Sequence, residues 1–181
     1  MLMNVLLIDG HPDLNQSTAN AVILKHYKQN TTWTINHLGG RALNLPEEQA
    51  ALLIADVVII QFPLYWSSFP AILKNWVDDV FTFNFAFGPN GSLLKNKKLV
   101  FSITAGAKED SYAKNGFNLM PIEDYQRAFE HVFRAAEMDI VDTILTFEMN
   151  ADTNEGGNQS SCVQLANNHA KTVMSCISLL K

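Results

Sequence analysis

Val57-Val58-Ile59-Ile60, closing at Pro63, is a run of four β-branched apolar residues with no polar alternation. Continuous runs of this kind predict a strand covered on both faces, as in a parallel sheet. Working outward, Val5-Leu6-Leu7-Ile8 reads the same way, bounded by Asp9-Gly10 and Pro12, and Leu99 to Ile103 is a third such strand. Residues 32–37 alternate like a strand exposed on one side, and Ile140 to Met149 reads as the last strand. Between them lie stretches of helical period. One starts at Ser17, with Ala19, Val22, Ile23 and Tyr27 inward; Pro46 opens a short one through Ile54. Phe69 to Val80, Pro121 to Met138 and 159–180 complete the set.

Strands alternating with helices predict an α/β domain, residues 1–181, with helices on both faces of a five-stranded parallel sheet. The expected arrangement is the doubly wound, flavodoxin-like order. In such sheets ligands sit outside the carboxyl ends of the strands, near the switch point. The informative loops are therefore 9–17, 61–69 and 104–118.

Bulk composition narrows the function. A net charge of −5 and a pI near 5.4 argue against nucleic-acid binding. No apolar run approaches the roughly 20 residues of a membrane span. The apolar start MLMNVLLIDG lacks a basic lead-in and reads as a buried strand. Cys162 and Cys176 fall on one helix about 21 Å of rise apart, out of disulfide reach. A reducing cytoplasm is the expected location. The histidines lie in no metal or triad spacing, so no metal is expected.

The first loop, Asp9 to Asn20, ends at a helix N-terminus, where free N–H groups and the dipole favour an anion. Ser17 serves there as N-cap or as a hydroxyl donor to a phosphate. His11 is either a cation beside that phosphate or a loop residue bonded to backbone. The second loop, Gln61 to Pro70, concentrates Phe62, Tyr65, Trp66 and Phe69. It either packs on its own helix or walls a flat heteroaromatic ligand, and its position at a strand end favours the wall. The third loop opens Thr104-Ala105-Gly106-Ala107, small residues that let a ligand approach backbone. Tyr112, further along, offers a phenol.

The stretch Phe62 to Gly88, FPLYWSSFPAILKNWVDDVFTFNFAFG, resembles the signature of the NAD(P)H:quinone oxidoreductase family. That family includes DT-diaphorase, modulator-of-drug-activity proteins and ancillary subunits of bacterial potassium-efflux systems. His11-Pro12, Ser17 to Asn20, and Thr104-x-Gly106 followed by Tyr112 are similar to its other motifs. The resemblance implies a flavin, FMN favoured and FAD possible, with NAD(P)H as co-substrate and a quinone-like acceptor. His11, Ser17, Thr18 and Asn20 would hold the flavin phosphate region. Pro63, Leu64, Tyr65 and Trp66 would lie along the isoalloxazine ring. Thr104, Ala105, Gly106, Ala107 and Tyr112 would bind its pyrimidine edge, with Tyr112 catalytic. Trp66, Ser67, Phe69 and Asn118 would form the substrate pocket.

Two positions depart from the pattern. Ser67 stands where many relatives carry an aromatic, and Asn118 where DT-diaphorase has a histidine, so a proton must come from Tyr112 or solvent. The Phe81-to-Phe87 run has strict period two, read as a core or edge strand. In relatives this segment helps form a homodimer, and one apolar face of four phenylalanines agrees with that. The rival readings are a flavodoxin-type electron carrier and a redox-sensing subunit of a potassium-efflux membrane protein.

Overall fold

The computed structural model describes residues 3–66 and 68–180. Its strands are β1 (Val5–Asp9), β2 (Thr34–His37), β3 (Val57–Pro63), β4 (Lys98–Thr104) and β5 (Asp139–Thr146). They form one parallel sheet in the order β2-β1-β3-β4-β5. The helices are α1 (Thr18–Asn30), α2 (Leu45–Ile54), α3 (Ala71–Val80), α4 (Ile122–Ala135) and α5 (Gln159–Leu179). This is the doubly wound order expected from the strand pattern, with its switch point between β1 and β3.

The continuous apolar runs find cover on both sides, as their lack of alternation requires. Val5, Leu7, Val57, Ile59 and Val100 pack on Ile23 and Tyr27 of α1 and on Ala166, Ala170 and Val173 of α5. Leu6, Ile8, Val58, Ile60, Phe62, Leu99, Phe101 and Ile103 meet α2, α3 and α4 through Leu52, Leu73, Trp76, Phe129 and Phe133. On that side Phe62–Phe129, Phe101–Phe133 and Phe62–Phe101 meet edge to face at 5.5, 5.2 and 6.3 Å. Each such pair adds roughly 0.5–1.5 kcal/mol beyond its burial. Glu48 is buried there too, accepting from Arg41 Nη2 at 2.6 Å and from Trp76 Nε1 at 2.9 Å.

Three expectations are corrected. The last strand ends at Thr146, not Met149: the amides of Glu148 and Met149 turn to bond Ala107 O and Ala105 O. Phe69 precedes α3, because the residue before a proline is steered out of the helical region, and Pro70 stands as the N-cap. The 81–87 run is a turn rather than a strand. Asn84 takes φ 62° and its amide bonds Phe87 O at 2.7 Å, so Phe85 is buried while Phe83 and Phe87 point outward, 5.8 Å apart. The four rings share no single face. Cys162 and Cys176 are free thiols on α5. Among the described residues no helix is long and apolar enough to cross a membrane.

Candidate functional site

The carboxyl ends of β1, β3, β4 and β5 open into a cleft of about 770 Å³. Its walls come from His11 and Gln16 to Asn20, from Pro63-Leu64-Tyr65, from Thr104, Gly106 and Ala107, and from Met149 to Asp152 with Glu155 and Cys162. The volume lies within the range of small-molecule and cofactor sites. Asp152 and Glu155 are its acids, and no lysine or arginine lines it among the described residues.

The α1 end of the cleft is a donor cradle. Ser17 Oγ accepts from the Asn20 amide at 3.1 Å and from Asn20 Nδ2 at 3.2 Å. Its acceptor capacity is used, so its own O–H is left to donate. Ser17 thus takes the capping role, with its O–H left over to donate. The amides of Thr18 and Ala19 have no partner among the described residues, as at any helix start. Those amides, two hydroxyls and the helix dipole suit a phosphate.

Asn20 is buried and fully engaged. Nδ2 donates also to Thr104 Oγ1 at 3.2 Å, and Oδ1 accepts from Gln61 Nε2 at 2.8 Å. Asn20, expected beside the phosphate, lines the cleft and ties α1 to the end of β4. From Gln61 the network runs on, with Ser102 Oγ donating to Gln61 Oε1 at 2.5 Å. Ser102 Oγ then accepts from His169 Nε2 at 2.7 Å, which leaves His169 Nδ1 to accept from Thr146 Oγ1 at 2.8 Å. The donors form one directed chain across α5, β5, β4, β3 and α1. Burial pushes His169 down to about 4, so it stands neutral in that chain.

His11 is neutral as well. Its Nδ1 accepts the Asp13 amide at 3.1 Å, so the proton is on Nε2, which donates to Tyr65 Oη at 3.2 Å. Burial and the neighbouring His37 hold it below its ordinary value. Of the two readings open to His11, the backbone-bonded one is what the structure contains. Tyr65 receives that hydrogen bond and keeps its own proton to donate. Burial raises its phenol, so the proton is retained at neutral pH.

The other expected site residues divide. Pro63, Leu64, Thr18, Thr104, Gly106 and Ala107 line the cleft. Ala105 is buried beneath it, its amide on Thr146 O. Trp66, at φ 55°, is 98% exposed and lies outside the lining. Phe69 is buried edge-on to Phe62 at 5.9 Å, supporting the loop from within rather than walling a pocket. Tyr112 lies outside the lining, between Tyr125 and Phe147 at 5.8 and 5.6 Å. Asn118 is also outside it, closing its own loop through Ser111 O at 2.9 Å. Ser67 falls outside the described residues.

The residues missed from sequence are those after β5. The stretch Asn150-Ala-Asp-Thr-Asn-Glu-Gly-Gly157 is rich in turn formers and leaves a strand's carboxyl end. The rule that singled out the other loops applied to it equally.

The chain matches the family described as "Flavodoxin-like fold" over residues 3–167. It belongs to the flavodoxin-like fold family. Within the family it is 36% identical over 132 residues to the uncharacterized NAD(P)H oxidoreductase YrkL of Bacillus subtilis, 71% of this chain and 76% of that protein. It is 37% identical over 147 residues to KefG of Salmonella paratyphi B, the ancillary protein of a glutathione-regulated potassium-efflux system, covering 79% and 80%. Among solved structures, general stress protein 14 of Treponema denticola, in complex with FMN, superposes with a TM-score of 0.82 at 23% identity, covering 96% and 99%. An NADPH-quinone reductase from P. pentosaceus gives 0.78 at 25% identity, covering 94% and 97%.

Proposed function

We propose that this protein is a flavin-dependent NAD(P)H:quinone oxidoreductase. The observation that carries the reading is the donor cradle at the α1 N-terminus, opening into a cleft large enough for FMN. The fold holds FMN in the Treponema denticola protein, and likeness to the B. subtilis oxidoreductase and the P. pentosaceus quinone reductase supports the reaction class.

When bound, a flavin supplies hydride exchange, two electrons from NAD(P)H passing to a quinone-like acceptor that also takes up protons. The chain supplies binding and orientation. Ser17, Thr18 and the first α1 amides would hold the phosphate with neutral donors and the helix dipole. Pro63, Leu64 and Tyr65 would flank the ring, and Thr104, Gly106 and Ala107 would give backbone access at its polar edge. Tyr65 Oη, receiving the His11 Nε2 proton bond, is the donor on the cleft wall placed to meet negative charge on an acceptor oxygen. It takes the role expected of Tyr112.

The proposed assembly is a homodimer in the cytoplasm. Its support is apolar surface on three loops: Trp66, Phe83, Phe87, Phe117 and Leu119 are all exposed. A sedimentation mass of about 40 kDa, twice the 20.2 kDa chain, is expected, and one near 20 kDa refutes it. The likeness to KefG supports a second role as the ancillary subunit of a potassium-efflux membrane protein, tested by co-purification.

The deciding experiment is anaerobic titration of flavin-loaded protein with NADPH, then menadione. Bleaching of the flavin band that the quinone reverses is the expected result. Tight flavin binding without bleaching would leave a carrier or sensor, and no binding would refute the cleft assignment.

A further inference from the structure

At the edge of the sheet lies a carboxyl–imidazole contact that the proposed reaction leaves unused. Asp9 ends β1 and is fully buried; its register partner His37 ends β2. Asp9 Oδ2 meets His37 Nδ1 at 2.5 Å, and Asp9 Oδ1 accepts the His11 backbone amide at 3.2 Å. His11 then reaches the cleft through Nε2 and Tyr65 Oη. The His37 ring is wedged in place. A Cβ at Gly39 would stand 2.5 Å from its Nε2 and 2.3 Å from Pro12 O, so the segments after β1 and at the end of β2 close on one another without room to spare.

We propose that Asp9 and His37 are a positioning pair for the cleft, holding the His11 turn, and through it Tyr65, in a form that depends on the protonation of Asp9. The proposal rests on the flavin reading only for its second readout.

The chemistry follows from counting donors. Beside a bare carboxylate both neighbours donate: the His11 N–H, and His37 Nδ1–H in the tautomer that a carboxylate oxygen requires. A carboxylate accepts both, whereas a carboxylic acid carries a proton of its own and keeps one good acceptor oxygen. Protonation therefore releases His11 or His37 unless His37 Nδ1 turns from donor to acceptor, and with His11 goes the orientation of the imidazole that bonds Tyr65. Burial pushes the Asp9 carboxyl up to about 6, against the opposing pull of His37, the His11 amide and the Lys28 charge from α1. Asp13 is the remaining acid beside His11. The release thus falls in the range cells visit.

Asp9 and His37 are positioning residues, and the test reads position rather than turnover. Wild type, His37→Gln and Asp9→Leu are titrated from pH 5 to 8, following the His11 amide proton by NMR and the FMN dissociation constant by flavin fluorescence. In wild type the His11 amide is expected to shift through a step near pH 6, with FMN held more weakly on the acid side. His37→Gln removes the imidazole, the foremost of the groups that pull Asp9 down, so the step is expected to move upward by about one pH unit. Asp9→Leu, with folding checked by circular dichroism, is expected to abolish the step and to weaken FMN about tenfold at pH 8. The FMN phosphate itself titrates near 6, so only the difference between wild type and His37→Gln is assigned to the pair. A His11 amide that does not titrate, or a midpoint unmoved in His37→Gln, overturns the proposal. Absence of FMN binding at every pH would refute the flavin reading alone, the amide shift still deciding the pair.

Discussion

Replacing His169 with leucine would separate two buried titratable groups whose effects on stability oppose each other. His169 is pushed from its ordinary 6.5 down to about 4, so between those values the unfolded chain binds more protons than the folded one. Stability from this group is therefore full above pH 6.5 and lost as pH falls towards 4. Asp9, pushed from 3.8 up to about 6, has the reverse sign: the folded chain binds the extra proton, so stability falls as pH rises across that window. Between pH 7 and 4.5 the histidine removes about 2.5 kcal/mol and the aspartate returns about 2 kcal/mol. In wild type the two nearly cancel. His169→Leu removes the first and leaves Thr146 and Ser102 short of a partner, a loss of about 2 kcal/mol at pH 7. At pH 4.5 that deficit is expected to vanish or reverse. Urea unfolding of both proteins at the two pH values measures it. A deficit that is the same at both, within about 0.5 kcal/mol, would mean that the imidazole is not held neutral by burial and would refute the argument.

Ser17→Ala removes the α1 cap and the cleft hydroxyl together. Stability is expected to fall by about 1 kcal/mol by chemical denaturation and FMN affinity by about 10- to 100-fold by fluorescence quenching, while Ser17→Thr keeps both. Tyr27→Phe deletes a buried hydroxyl that has no partner among the described residues, so urea unfolding should show it neutral or more stable by about 1 kcal/mol. Gly39→Ala drives a methyl against Pro12 O and His37, and should cost about 2 kcal/mol or more in thermal unfolding while weakening FMN binding.

The strands were legible because a sheet covered on both faces leaves unbroken apolar runs, and Val57 to Ile60 has no other economical reading. The α1 cradle was legible because Ser17 stands where capping chemistry demands a hydroxyl. Period two misled at Phe81 to Phe87, since alternation along the chain says nothing about a turn. The left-handed Asn84 breaks the run at its centre. Met149 extended β5 on paper because it is apolar, although its amide belongs to the neighbouring loop. Tyr112 and Asn118 were placed by resemblance, and the packing of Tyr112 on Phe147 depends on a loop path that local sequence does not encode. The Asp9–His37 contact was invisible for a related reason: it exists only once two strands 28 residues apart adopt a particular register.

The register of β3 against β4 has a guardian in the directed chain of side chains from Thr146 to Asn20. Parallel strands made almost wholly of valine, isoleucine, leucine and phenylalanine can slide past one another with little change in what they bury. Gln61 and Ser102 sit opposite each other in neighbouring strands and face α1 and α5. A slip of one residue would turn the polar side chain of the slipped strand into the aromatic layer beneath α4; a slip of two would separate the pair. The polar groups thus act as an address written into otherwise interchangeable β-strands. Misassembled sheets would be rejected during folding by the same residues that later tie α1 and α5 to the sheet.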